Sequence, residues 1–119
     1  MTVLTVVTDS PEGRHALAAG VQEATLLGVD LLVANLTLGA LDVSALPPDL
    51  RVTIVERHGG GDRDPVRAVL DEVADHPDVD RLVICVRRRS PVGKVLLGSV
   101  SQQLLLDSPV PVLAVKIPS

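Results

Sequence analysis

The sequence predicts an α/β fold in which helices cover both faces of a mostly parallel sheet. Five short apolar runs, rich in valine, leucine and isoleucine, are separated for the most part by segments whose apolar residues recur at helical spacing. Most of these runs lack the alternation of a half-exposed strand, which is typical of strands buried on both faces. The 119 residues are expected to form one domain, 1–119, with a core of its own.

The first strand and the first helix have clear local signals. Residues 2–8 are a short β-branched run, which predicts a buried strand. Ser10, Pro11 and Glu12 then have the order of a helix start: an N-cap hydroxyl, a proline at the first helical position and an acid in the first turn. Gly28 is expected to end this helix. Its apolar stripe is predicted at Leu17, Val21, Ala24 and Leu27.

The middle of the chain supplies two more strands and a second helix. Residues 31–36 form the second predicted strand. Residues 51–55 form the third, and their more alternating pattern favours a place near a sheet edge. Asp64 and Pro65 start the second helix by the same combination of cap and proline. The stripe of that helix is predicted at Val66, Val69, Leu70 and Val73.

The last part of the chain contains a third helix between two strands. Residues 81–86 and 110–115 are the fourth and fifth predicted strands. Pro111 has no N–H to donate to a neighbouring strand, so the fifth strand is expected at a sheet edge. The helix between them carries its apolar residues at Leu97, Val100 and Leu104 and ends near Asp107.

An arginine-rich segment, residues 87–94, is predicted to be a long loop that leads from the fourth strand to the third helix. Gly98 and Ser99 follow it, and a helix N-terminus presents unpaired N–H groups and a partial positive charge. This combination predicts an anion site, with phosphate as the best chemical match. In parallel sheets ligands bind at the carboxyl ends of strands where the strand order reverses. Asp9 and Arg87, at the ends of the first and fourth strands, are the candidates for that point.

Composition excludes several classes of function. Phe, Tyr and Trp are absent, which argues against a base-stacking platform, and the net charge of −4 argues against broad nucleic-acid binding. No apolar run reaches the ~20 residues of a membrane span, and no signal-peptide pattern opens the chain, so a cytoplasmic protein is expected. Cys85 is the single cysteine, which excludes an internal disulfide, and the three histidines lack metal-ligand spacing. No metal site is predicted.

With these elements in order, the chain resembles the universal stress protein family over essentially its whole length. The resemblance depends mainly on residues 97–102 and 107–115, supported by Asp9, by residues 28–30 and by residues 64–65. It implies a five-stranded parallel sheet of order 3-2-1-4-5. It also implies a non-enzymatic stress-response protein that forms a homodimer, here through the edge strand Val110–Ile117.

Family members that bind nucleotides resemble one another in a Gly-x2-Gly-x9-Gly-Ser/Thr loop after the fourth strand. In this chain Cys85 and Arg88 stand at the first two glycine positions, and only the last Gly-Ser pair matches. The resemblance implies ATP with Mg²⁺, or another phosphate-bearing anion, as the ligand. The expected ligand-binding residues are Asp9, Leu36, Arg87, Arg88, Gly98, Ser99 and Val100. Leu36 matches a position where relatives contact adenine through the backbone, and Arg87 and Arg88 are expected to supply positive charge.

Two other functions stay open at this point. A ligand-free dimeric interaction module fits the missing glycines, because a side chain at either position fills space that a nucleotide would use. A weak adenine-nucleotide hydrolase fits the same fold, but Asp9 is the one carboxylate that the sequence puts at the cleft. No Ser-His-Asp set is evident, and no catalytic residue is predicted.

Overall fold

The computed structural model describes residues 1–8, 11–37, 39–41, 44–56, 64–88, 95–96 and 99–116. These residues form six strands and three helices. In chain order the elements are β1 (Thr2–Val7), α1 (Pro11–Leu27), β2 (Asp30–Asn35), β3 (Val52–Glu56), α2 (Pro65–Asp75), β4 (Val79–Arg88), β5 (Val95–Leu96), α3 (Ser99–Asp107) and β6 (Val112–Lys116).

Five of the strands run parallel in the order β3-β2-β1-β4-β6. The order 3-2-1-4-5 is therefore confirmed, with β6 as the fifth parallel strand. The core is split by the sheet, with α2 and α3 packed on one face and α1 on the other, so the helices on both faces are confirmed as well. Among the described residues β3 pairs with β2 alone and β6 with β4 alone, which confirms the two expected edges.

The start of the arginine-rich segment is not a loop, and the prediction was wrong there. β4 continues to Arg88, and β5 folds back on it antiparallel, with Arg87 opposite Leu96 and Arg88 opposite Val95. The sequence analysis missed this strand extension because the residues concerned are charged and not apolar. Hydrophobic periodicity does not show that β5 will supply backbone hydrogen-bond partners to such residues. The middle of the segment and Leu97, which was expected in the third helix, lie outside the described residues.

The predicted stripe of helix α1 is confirmed except at Leu27: Ala24 is buried, and Leu17 and Val21 pack partly buried against the core under this helix. The helix also buries small residues outside that stripe. Gly13, Ala16, Gly20 and Ala24 are its buried positions, whereas Leu27 is 39% exposed. The cause is the close approach of α1 to β1: the hydroxyl of fully buried Thr5 donates to the Ala16 carbonyl oxygen at 2.6 Å. The predicted end of the helix is confirmed, since Gly28 has a φ of 69°, a conformation that glycine adopts without strain.

Helix α2 begins and packs as its sequence predicts. The Asp64 carboxylate accepts a hydrogen bond from the Val66 N–H at 3.0 Å and caps the helix ahead of Pro65. Val66, Val69 and Val73 are buried against the sheet. No helix in the described part of the chain is both long enough and apolar enough to cross a bilayer.

At the amino-terminal edge of the sheet, the pKa of Asp78 is set mainly by a hydrogen bond from the Thr2 hydroxyl. The Thr2 hydroxyl donates to the Asp78 carboxylate, and this bond is the main reason that the pKa of Asp78 lies below its ordinary 3.8. Because folding lowers this pKa, the carboxylate stabilises the fold above pH 3.8. That contribution is lost as the pH falls through the lower pKa of the folded protein.

We therefore expect Thr2→Val to reduce the acid dependence of stability. Melting temperatures of the wild type and the variant should converge as the pH falls below about 4, because the stabilisation that distinguishes them disappears there. Thr53→Val, at an exposed threonine of β3, is the matched control and should leave a constant offset. A Thr2→Val offset that is equally constant with pH would show that this hydroxyl does not set the Asp78 pKa.

Candidate functional site

The carboxyl ends of the parallel strands meet at one edge of the sheet, and those expected site residues that the structure describes lie at this edge. Leu36 directly follows β2, and Ser99 and Val100 open α3. Asp9 and Gly98 lie outside the described residues. Arg87 and Arg88 are placed at the end of β4 by their backbone pairing, and their side chains lie outside the described part of the structure.

A groove of about 640 Å³ lies between α2 and α3. Both helices start at the carboxyl edge of the sheet: α2 comes after β3, and α3 comes after β5, which pairs with the last two residues of β4. Ser99 and Val100, two of the expected site residues, line the groove at the start of α3. The remaining lining residues are Asp64, Pro65, Val66, Arg67, Leu70, Gln103 and Asp107.

The inner wall of the groove is apolar and packs on the core cluster that Leu36 also contacts. Leu70 and Val100 are partly buried and pack on the core cluster beneath α2 and α3. Leu36 packs against the same cluster from the end of β2. The structure therefore brings Leu36, Val100 and Ser99 to one face of the sheet, although they are far apart in the sequence.

Polar groups line the outer part of the groove. The lining contains one cation, Arg67, and two carboxylates, Asp64 and Asp107. Asp64 caps α2, and Asp107 accepts a hydrogen bond from the Gln103 amide. Arg67 is exposed and forms no ion pair with any other residue that the structure describes. The cation of the groove is thus available to an incoming anion.

The described lining of the groove combines several polar groups with an apolar wall. A hydroxyl, a guanidinium, an amide and two carboxylates surround an apolar wall, and the described lining contains no histidine, cysteine or lysine. No cluster of three metal-ligating side chains occurs among the residues that the structure describes. The sequence analysis treated Asp64 only as a cap and missed Arg67 and Gln103. The sequence signal that could have found these two residues is that the helices that carry them, α2 and α3, both start at the same edge of the sheet.

The end of β2 carries a polar cluster that the sequence analysis also missed. Asn35 is 1% exposed, and its amide nitrogen donates to the Glu56 carboxylate at 2.8 Å and to the Gly39 carbonyl oxygen at 2.9 Å. Its amide oxygen accepts from the Thr37 N–H at 3.0 Å. The signal was a polar residue at the end of a buried apolar run. Next to it, the Leu36 N–H donates to the Val7 carbonyl oxygen at 2.9 Å and ties β2 to β1.

The two substituted glycine positions lie in β4 rather than in a loop. Cys85 is 8% exposed and pairs with Val115 of β6, and Arg88 pairs with Val95 of β5. A backbone that is paired with a neighbouring strand at these two positions does not wrap closely around a phosphate. Any ligand contact at this edge must therefore differ from the glycine-loop pattern at its first two positions.

Comparison with known proteins gives a consistent result. The profile of the Universal stress protein family matches residues 49–116. A protein named Universal stress protein from Mycolicibacterium smegmatis is 44% identical over 117 residues, covering 89% of this chain and 90% of its own length.

Solved structures show the same fold. A universal stress protein from Archaeoglobus fulgidus superposes with a TM-score of 0.70 at 23% identity, covering 98% of both chains. A universal stress protein structure from the same organism, solved in complex with dAMP, superposes with a TM-score of 0.63 at 20% identity, again covering 98% of both chains.

Proposed function

Because the chain belongs to the universal stress protein family, we propose that it is a non-enzymatic, cytoplasmic stress-response protein that binds an adenine nucleotide. The nucleotide occupies the groove between α2 and α3. The observation that carries this proposal is the place of Ser99 and Val100 in the lining of a groove of about 640 Å³, on the same face of the sheet as Leu36. A groove of this size with an apolar wall and a few polar groups is the usual form of a small-molecule site.

The parts of the groove match the parts of a nucleotide. The apolar wall formed by Leu70 and Val100 suits a purine ring, and Leu36 packs on the same core cluster from the end of β2. Ser99 opens α3, so its hydroxyl and the first N–H groups of that helix suit a phosphate. Arg67 adds a cation on the facing helix. The dAMP complex of the Archaeoglobus fulgidus protein supports the same class of ligand.

Magnesium fits this arrangement only as a partner of the nucleotide. Mg²⁺ is usually held by one or two carboxylates together with substrate phosphates. Asp64 is the described carboxylate at the start of α2 and would fill that role. When bound, the ion would neutralise phosphate charge in a lining that has more carboxylates than cations.

The first test uses the unusual absorbance of this chain. Without Trp, Tyr or Phe the protein absorbs almost nothing near 260–280 nm, so a bound nucleotide dominates its spectrum. We expect purified protein, incubated with ATP and Mg²⁺ and then desalted, to retain an adenine spectrum that denaturation releases. Calorimetric titration with ATP checks weaker binding. A blank spectrum together with no heat of binding at millimolar ATP would overturn the proposal.

We further propose a homodimer through the free edge of β6, within the expected segment Val110–Ile117. Leu113 is 39% exposed and Ala114 is exposed on this strand. The Pro111 carbonyl oxygen accepts a hydrogen bond from the Leu82 N–H. In this parallel register the N–H of Leu113 points towards β4, and the N–H of Ala114 points away from β4 to the outer edge. An open edge of this kind invites pairing with a second copy.

Ala114→Pro is therefore expected to convert the dimer to a monomer. Proline removes an N–H at the outer edge and leaves the pairing of β6 with β4 in place. Sedimentation velocity measures the change, and Ala45→Pro, at an exposed position before Pro47, is the matched control. A wild-type monomer, or an Ala114→Pro variant that is still a dimer, would contradict pairing through this edge.

One observation favours the ligand-free interaction module as a second candidate. Cys85 and Arg88 lie in β4 at the positions where glycines would let the backbone approach a phosphate. The titration with ATP separates the two candidates. A hydrolase is the less favoured alternative, since no described groove residue pairs a nucleophile with a base. Phosphate release above a buffer control, abolished by a groove substitution, would establish it.

A further inference from the structure

Two helices start beside the groove at the carboxyl edge of the sheet, and their first residues differ in charge. Helix α3 opens with Ser99, and its first turn contains no acidic side chain. Helix α2 is capped by Asp64, whose carboxylate accepts a hydrogen bond from the Val66 N–H at 3.0 Å. Ser99 and Asp64 both line the groove. The groove therefore borders one helix start that is neutral and one that carries a negative charge.

The carboxylate at the start of α2 changes what that helix can bind. A helix N-terminus attracts an anion through its unpaired N–H groups and its partial positive charge. At α2 the Asp64 carboxylate already takes this position, so a phosphate would have to displace it or lie against it. At α3 the hydroxyl of Ser99 is compatible with a phosphate. Of these two helix starts, α3 is the one that is open to an anion.

The charge of Asp64 is not balanced by another residue that the structure describes. Arg67 follows one turn later on α2 and also lines the groove, but the two side chains form no ion pair. Arg67 is the one cation in the described lining. Together with the start of α3, it suits a single phosphate group. A second or third phosphate in the same groove meets the Asp64 carboxylate and no further cation of this lining.

We infer that Asp64 is a specificity-determining residue, which lets the groove accept a single phosphate group and makes the binding of a polyphosphate depend on a divalent cation. The repulsion falls when such a cation accompanies the polyphosphate, because the cation neutralises part of its charge. The inference rests on the proposed function and deepens it. The ligand class becomes a nucleoside monophosphate, or a nucleoside polyphosphate in complex with a divalent cation.

AMP and ATP test this inference, because they share the base and the sugar and differ in the number of phosphates. Calorimetry with the whole chain gives both affinities, first with a metal chelator and then with Mg²⁺. Asp64→Asn removes the charge and keeps the cap, since asparagine caps helices as well as aspartate does. Without metal, this variant should raise the affinity for ATP relative to AMP at least about threefold, as expected for the loss of a partly screened charge. The gain should shrink at high salt, and Mg²⁺ should strengthen ATP binding less than in the wild type.

Two other aspartates provide matched controls for the same substitution. Asp75→Asn changes an exposed residue at the end of α2 that is not part of the described lining, and it should leave the ratio unchanged. Asp107→Asn changes a lining residue at the far end of α3, about 12 Å from Ser99 at a rise of about 1.5 Å per residue. Its effect on the ratio should be smaller than that of Asp64→Asn. Asp64→Ser, which also keeps a capping oxygen, replaces Asp64→Asn if that variant does not fold.

The outcomes separate this inference from the proposed function. An unchanged ratio in Asp64→Asn, or an equal change in Asp75→Asn, would overturn the inference and leave the proposed function intact. Wild-type protein that binds metal-free ATP more tightly than AMP would overturn it as well. If metal-free ATP binds the wild type too weakly to measure, Asp64→Asn should restore measurable binding, and a failure to do so contradicts the role of Asp64. Wild-type protein that binds neither nucleotide, with or without Mg²⁺, would overturn the proposed function, and this inference with it.

Discussion

Replacing Gly20 with valine is expected to lower the free energy of unfolding by about 3 kcal/mol, as overpacked cores do. A Cβ atom at this position would lie 2.6 Å from the Thr5 Cβ and 2.9 Å from its Cγ2. Thr5 is fully buried in the central strand β1 and is held by its bond to Ala16, so it has nowhere to move. Helix α1 would have to lift away from the sheet.

Ala18→Val on the same helix is the matched control. Ala18 is exposed, so the change introduces the same side chain without a clash. It should cost no more than about 0.7 kcal/mol, the helix-propensity penalty of valine. Propensity alone would favour valine over glycine at position 20. Equal losses in the two variants, measured by urea denaturation, would therefore show that the close contact between α1 and β1 is not what constrains this site.

Replacing Ser99 with aspartate is expected to weaken ATP binding at least about tenfold while the fold keeps its stability. A carboxylate at the first residue of α3 interacts well with the helix dipole, by about 0.3–1 kcal/mol. The same carboxylate repels a phosphate at the mouth of the groove, and a loss of about 1.4 kcal/mol corresponds to a factor of ten in affinity. Stability and affinity should thus move in opposite directions, which rules out unfolding as the cause of the loss.

Gln102→Glu is the control for charge. Gln102 is exposed on α3 and is not among the residues that line the groove. The substitution adds the same charge to the same helix and should change ATP affinity by less than about threefold, because exposed charges are strongly screened. A Ser99→Asp variant that binds ATP as tightly as the wild type would show that the nucleotide phosphates lie elsewhere.

The parallel sheet was predictable because its signals are local. Asp64 and Pro65 predict a helix start because a carboxylate can accept a hydrogen bond from a free N–H of the first turn. The structure shows this cap, with the Val66 N–H 3.0 Å from the Asp64 carboxylate. Pro111 marked an edge because it lacks a donor. The face of α1 was predictable only in part. Its apolar stripe gave Leu17, Val21 and Ala24, but hydrophobic periodicity gives little weight to Ala16 and Gly20, which make the close contacts with β1.

The candidate site was predictable only in part. Ser99 was predicted from the start of a helix and Leu36 from the family resemblance, but the groove that Ser99 and Val100 line depends on how α2 and α3 pack. Arg67 and Gln103 line the groove because α2 and α3 pack next to each other. This packing cannot be recognised from a single sequence. Asn35 was missed for another reason. A buried asparagine acquires meaning only when its partners on β3 and in the following turn are known.

The measurement that tests the account most directly is a titration of ¹⁵N-labelled protein with ATP and Mg²⁺, followed by amide chemical shifts. Binding in the groove predicts saturable shifts at Leu36, Arg67, Ser99 and Val100. Arg51, at the amino-terminal edge of the sheet, should not shift. Shifts confined to other parts of the chain, or no shifts up to millimolar ATP, would contradict a nucleotide site at this edge.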